Sequence, residues 1–149
     1  MDAVPEEFVH RRVHRATPET LFACLTTPAH LTRFWGPVGA RTPVDRIVVD
    51  LRVGGAFETV MVSDADGAEH RMRAVYEVVE PPTRLAWREV DSGMLTDVTL
   101  HARPDGTTEV VTVQRRVPPR YADPRARAGW ATSLDRFAAY VGGLAPPLP

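Results

Sequence analysis

Hydrophobic and polar positions along the chain change period twice. Phe8 to Arg15 places Val9 and Val13 among polar neighbours and predicts a first strand. Thr17-Pro18-Glu19 then predicts a helix start, with threonine as N-cap, proline at the first helical position and an acid in the first turn. Leu21, Phe22 and Leu25 give that helix an apolar face. Thr27-Pro28 repeats the cap signal, and Ala29 to Trp35 predicts a second short helix ended by Gly36-Pro37.

From Val44 the texture becomes that of an antiparallel meander. Runs of Val, Ile, Phe, Thr and Tyr predict strands near 44–51, 55–63, 69–79, 84–91, 95–103 and 108–117. Between them stand Gly54-Gly55, Asp64-Ala65-Asp66-Gly67, Pro81-Pro82, Asp91-Ser92-Gly93 and Pro104-Asp105-Gly106, the last two reading as hairpin turns. After Pro118-Pro119 the period turns helical. Trp130, Leu134, Phe137 and Val141 fall on one stripe, with Thr132, Asp135 and Arg136 off it and Gly142-Gly143 as the predicted stop. The order is β-α-α-β6-α, an α+β pattern whose last helix must bury its stripe against the sheet.

Composition narrows the picture. At 149 residues, one domain with its own core is the expectation. No apolar run reaches the roughly 18 residues that span a bilayer, and MDAVPEEFVHRR has no secretory pattern, so no membrane role is expected. The single cysteine, Cys24, excludes an internal disulfide and fits a reducing, cytoplasmic setting. All 18 basic residues are arginine, which excludes Schiff-base and phosphate-loop lysines. A net charge of −1 gives no global basic field. Arg115, Arg116, Arg120, Arg125 and Arg127 form a local basic stretch, but Asp123 and Asp135 interrupt it and no aromatic platform accompanies it, so no nucleic acid is expected.

Five segments in order carry a resemblance: Ala16 to Phe22, Pro28 to Pro37, Asp50 to Phe57, Val79 to Leu85, and Gly129 to Val141. Together they resemble the START/SRPBCC superfamily, in the branch named after the activator of the heat-shock chaperone ATPase. The resemblance covers nearly the whole chain and implies one helix-grip domain over residues 1–149, a curved antiparallel sheet wrapped around a long C-terminal helix. It is weak on function, because this fold hosts lipid carriers, cyclases, hormone receptors and co-chaperones. Each segment also has its own physics. Gly54-Gly55 suits a strand starting at a sharp bend, Gly129 would let the last helix approach the sheet, and Pro81-Pro82 forces a turn.

Phe34, Trp35, Phe57, Met61, Tyr76, Trp87, Trp130, Leu134 and Phe137 fall where this fold turns side chains inward. Core filling is the first expectation for most of them. The functional alternative is that some line a ligand cavity, with Trp35, Trp87 and Trp130 the best wall residues, because a buried indole N–H needs a partner. In the family's register Phe8, His10, Arg12 and His14 face inward, whereas the opposite register turns Val9 and Val13 inward. Leu85, Trp87 and Glu89 share a face. His14 and Glu89 stand where relatives usually keep apolar or aromatic residues. Buried, such groups shift toward neutrality and can move protons or grip a polar ligand. The alternative that the sequence favours puts Glu89 and the histidines on the outer face or a solvated rim.

No metal or cofactor is expected. His10 and His14 are four apart, but in a strand that is about 13 Å. His30, His70 and His101 are isolated, Cys24 reads as a core residue, and no nucleophile elbow, GxGxxG or phosphate loop appears. Three functions follow. The first is binding of a small hydrophobic or aromatic ligand between the last helix and the sheet. The second is a polyketide cyclase/aromatase-like enzyme using His10, Arg12, His14 and Glu89. The third, from the family's name alone, is a chaperone-interacting module. An exposed sheet edge can support a homodimer.

Overall fold

The computed structural model describes residues 6–144. Strand β1 (Glu6–His14) leads into helices α1 (Pro18–Thr26) and α2 (Pro28–Phe34). The Thr17 hydroxyl accepts the Thr20 N–H at 3.2 Å, so the predicted cap is formed. Short strands β2 (Ala40–Arg41) and β3 (Val48–Val49) follow. Then come β4 (Ala56–Ser63), β5 (Glu69–Glu80), β6 (Arg84–Glu89), β7 (Leu95–Ala102) and β8 (Thr108–Val117). A four-residue helix α3 (Pro119–Ala122) and the long helix α4 (Pro124–Leu144) close the chain. The sheet is antiparallel in the order β1-β8-β7-β6-β5-β4-β2, with β3 also on β4. It is curved and unclosed, and the fold is the expected helix grip.

The structure corrects the sequence in three places. The strand expected at 44–51 is mostly a turn: Arg46 and Ile47 donate N–H bonds back to Pro43 and Val44 at 3.1 and 3.2 Å. Pro43 fixes φ and has no N–H, and these bonds use groups that a ladder would need. Gly142-Gly143 does not stop α4, which runs through both to Leu144, the last described residue. Gly129 faces the loop after α2 rather than the sheet, and a Cβ there would meet only Pro37 at 3.8 Å. Gly55, by contrast, is obligatory: a Cβ would lie 2.0 Å from the Asp50 carbonyl oxygen. Gly55 and Gly54 exchange backbone bonds with Tyr76 there, at 3.0 and 2.8 Å, where the chain bends into β4.

The core is concentrated under one half of α4. Phe137 and Val141 are buried there with Leu21, Phe22, Leu31 and Phe34 of the short helices. Phe57, Tyr76, Leu85 and Leu100 supply the sheet side. Trp130 and Leu134, earlier on the same stripe, are only half-buried. Polar ties fix the helix: Arg136 Nη1 donates to the carbonyls of Gly36, Pro37 and Ala40 at 3.0–3.1 Å. Val38 N–H donates to the Thr132 hydroxyl at 3.1 Å, and His30 Nδ1 lies 2.6 Å from the Tyr140 hydroxyl.

Candidate functional site

Where α4 turns Trp130 and Leu134 toward the sheet, a cavity of about 790 Å³ opens. That is within the usual range for small-molecule sites. Its roof is α4 with Phe34, Trp35, Gly36 and Pro37. Its floor is the inner face of the sheet: Met61, Met72, Trp87 and Glu89 on one side, and Thr96, Thr112, Gln114 and the β1 residues on the other. Exposed side chains of Val38, Arg120, Asp123 and Arg125 form the mouth. Gly36, at φ +97°, keeps the wall close, since a Cβ would stand 2.9 Å from the Met61 sulfur.

Strand β1 takes the register that turns His10, Arg12 and His14 onto the cavity. Val9 and Val13 are about half exposed on the other face, at 50% and 49%. Pairing with β8 sets His10 opposite Thr112, Arg12 opposite Val110 and His14 opposite Thr108. Arg127 of α4 reaches down to this wall. It donates to Gln114 Oε1 at 3.0 Å and to His10 Nε2 at 2.6 Å, and its guanidinium lies 3.8 Å from the centre of the Phe8 ring. A guanidinium can only donate, so His10 Nε2 accepts and the imidazole proton sits on Nδ1. Burial first, then the Arg127 and Arg12 charges, lower the His10 pKa and favour this neutral form. Burial, with Arg12 second, also lowers that of His14, whose ring stands edge-on to Phe137 at 5.1 Å. Arg12 itself pairs with Asp135 of α4 at 2.9 Å.

Glu89 also faces the cavity rather than the outer surface. Burial raises its pKa, against the opposing effects of the Ser92 hydroxyl, which donates to it at 3.3 Å, and of Arg120. It is not part of one constellation with the histidines. β8 and β7 stand between β1 and β6, so the two groups lie about three strand spacings apart, roughly 14 Å along the sheet. Direct proton exchange between Glu89 and His10 or His14 is therefore excluded in this arrangement.

Seven of the nine inward-facing candidates border the cavity: Phe34, Trp35, Met61, Trp87, Trp130, Leu134 and Phe137. Phe57 and Tyr76 do not. They are 0% and 1% exposed and stacked on each other at 5.4 Å, and Phe57 is edge-on to Trp35 and Trp87 from behind. They support the wall rather than form it. Burial pushes the Tyr76 phenol pKa up, and its hydroxyl has no hydrogen-bond partner among the described residues. Sequence reading missed Thr96, Thr112, Gln114 and Arg127. The first three are polar residues at inward positions of β7 and β8, and Arg127 precedes Trp130 by one helical turn on the same stripe. Cys24 is fully buried in α1, and burial raises its thiol pKa, so it is an inert core residue. No cluster of three or more metal-ligating side chains occurs among the described residues.

A curved sheet gripping a long helix over an apolar-walled cavity defines a START/SRPBCC-type helix-grip protein. Residues 15–142 match the family described as "Activator of Hsp90 ATPase homolog 1-like protein", and the chain belongs to that family. The solved structure of a Chromobacterium violaceum protein is similar at a TM-score of 0.84 and 27% identity, covering 96% of this chain and 100% of that one. An AHSA1-like protein from Aeromonas hydrophila is similar at 0.81 and 25% identity, covering 93% and 94%. A Nitrosomonas europaea protein shares the fold at 0.80 and 21% identity, covering 93% and 95%. No curated protein matches the chain.

Proposed function

We propose that this protein binds a small hydrophobic or aromatic molecule between α4 and the sheet. One observation carries the reading. The apolar stripe of α4 is continuous, yet only Val141 is sealed wholly in the core: Trp130 and Leu134 are half-buried over about 790 Å³ of space, and the buried Phe137 borders its inner edge. A stripe whose apolar residues face open volume leaves contact energy unused until an apolar guest fills it. Membership of a fold family that binds small ligands supports the same reading. A single, buried cysteine supports a cytoplasmic setting.

The test is thermal unfolding against fatty acids, aromatic polyketides, sterols and flavonoids. A ligand at 100 times its dissociation constant adds about 2.7 kcal/mol, a rise of roughly 5–10 °C for a domain of this size. All three tryptophans line the cavity, so the same ligand must also change intrinsic fluorescence. Stabilisation without a fluorescence change would place the ligand elsewhere.

A cyclase/aromatase-like reaction is the second reading, favoured by the cavity-facing Glu89 whose burial keeps its proton toward neutral pH. Glu89 would act with Ser92 and without the histidines. Turnover of an aromatic polyketide precursor that survives in Glu89→Gln would remove it. The chaperone-interacting reading rests on the family's description alone.

A further inference from the structure

We infer that the ligand is an amphipathic anion: an apolar body under Trp35, Trp87 and Leu134, and one carboxylate or similar acidic head against the arginines of α3 and the start of α4. This rests on the ligand-binding reading above and names the class of molecule that the same cavity takes.

The argument is the distribution of charge. The chain as a whole carries −1. The cavity lining carries five arginines, Arg12, Arg71, Arg120, Arg125 and Arg127, against two carboxylates, Glu89 and Asp123. The cationic excess therefore belongs to the cavity and not to the molecule. Both carboxylates are engaged. Asp123 Oδ1 accepts the Ala126 N–H at 2.8 Å and so caps α4. Glu89 accepts from Ser92, and its burial favours the neutral acid. Arg12 contributes little net charge because Asp135 meets it.

Of the remaining cations, Arg71 stands on β5, while Arg120, Arg125 and Arg127 lie together on α3 and the start of α4. Read along α4, the cavity side passes from Arg125 and Arg127 to Trp130 and Leu134, then to the buried Phe137 and Val141. Arg120, one turn earlier in the chain, stacks over Tyr121 at 4.8 Å beside the same mouth. A guest lying along the helix meets guanidinium at one end and indole and leucine at the other. Arginine forks pair with carboxylates bidentately, and at this solvent-exposed mouth the pairing is open to screening by salt. A neutral guest of the same shape would fill the apolar part and leave the exposed Arg120 and Arg125 to water.

Two matched pairs of probes test this on the full chain. The first is 8-anilino-1-naphthalenesulfonate and its neutral parent N-phenyl-1-naphthylamine, followed by dye fluorescence. The second is 1-naphthaleneacetate and 1-naphthaleneacetamide, used as displacers. In the wild-type protein the carboxylate should displace dye at a several-fold lower concentration than the amide, and raised salt should weaken the sulfonate dye only. In the double variant Arg120→Gln/Arg125→Gln, at two exposed positions, the sulfonate dye should bind roughly three- to tenfold more weakly. The neutral dye should be unchanged. Equal displacement by acetate and acetamide, with both dyes bound and insensitive to salt, would overturn the anion inference and leave the cavity reading standing. Binding of neither dye would overturn both. The wild-type salt series and displacer pair decide the question even if the double variant is unstable.

Discussion

Truncation of α4 at two neighbouring positions on one stripe should have unequal consequences. Phe137 is 7% exposed and packs on Phe34 at 4.7 Å and on His14 at 5.1 Å. Phe137→Ala removes a buried ring wedged between Phe34 and His14 at the inner edge of the cavity, so it should cost about 3–5 kcal/mol. Leu134 borders space that is already open. Leu134→Ala removes three carbons, worth about 0.8 kcal/mol each when fully buried, from a half-buried site. The expected cost is therefore about 1 kcal/mol, with almost no added cavity term. In melting temperature these are losses of roughly 10 °C or more against about 3 °C. Urea denaturation of the ligand-free protein measures both, and the slope with denaturant should be unchanged. If Leu134→Ala costs as much as Phe137→Ala, the first half of α4 is packed like the second, and the argument for a ligand-sized space fails.

Other outcomes follow from the same geometry. Glu89 has a folded-state pKa above its unfolded value, so folding is penalised as pH rises from the ordinary glutamate range through the raised value. Glu89→Gln should therefore match wild type in acid and be more stable near pH 7, as paired pH–stability curves would show. His10 and His14 have lowered pKa values, so their contribution is lost as pH falls below about 6.5. Arg127→Met removes a guanidinium that helps depress His10, and NMR titration should show the His10 pKa moving up toward its ordinary value. Gly55→Ala drives a methyl into the Asp50 carbonyl and should yield little folded protein in a solubility assay; Gly129→Ala, whose Cβ would make only an ordinary contact with Pro37, should fold normally.

The short helices, the hairpin turns and the strands from β4 to β8 were legible because each rests on local rules. Caps, turn residues and alternation act within a few residues of sequence. Thr17, Pro18 and Glu19 mark the start of α1 whatever packs on it. The element around Val44 was misread because β-branched composition cannot register that Pro43 starts a turn. The short strand β2 was missed because two residues show no period. The inner residues of β6 were legible as a set, but composition favoured an outward or rim position for Glu89.

By itself, then, the sequence determined an α+β helix grip with an apolar final helix and a family membership that the comparison supports. Tertiary structure decided what local rules cannot contain. Pairing of β1 with β8 selected the register that turns His10, Arg12 and His14 inward. Strand order set Glu89 apart from them. Curvature of the sheet under α4 buried Phe57 and Tyr76 but left Trp130 and Leu134 facing space. All of these depend on contacts between residues distant in the chain. Alternation fixes which residues share a face, while only the assembled sheet fixes which faces meet and where a gap remains between them.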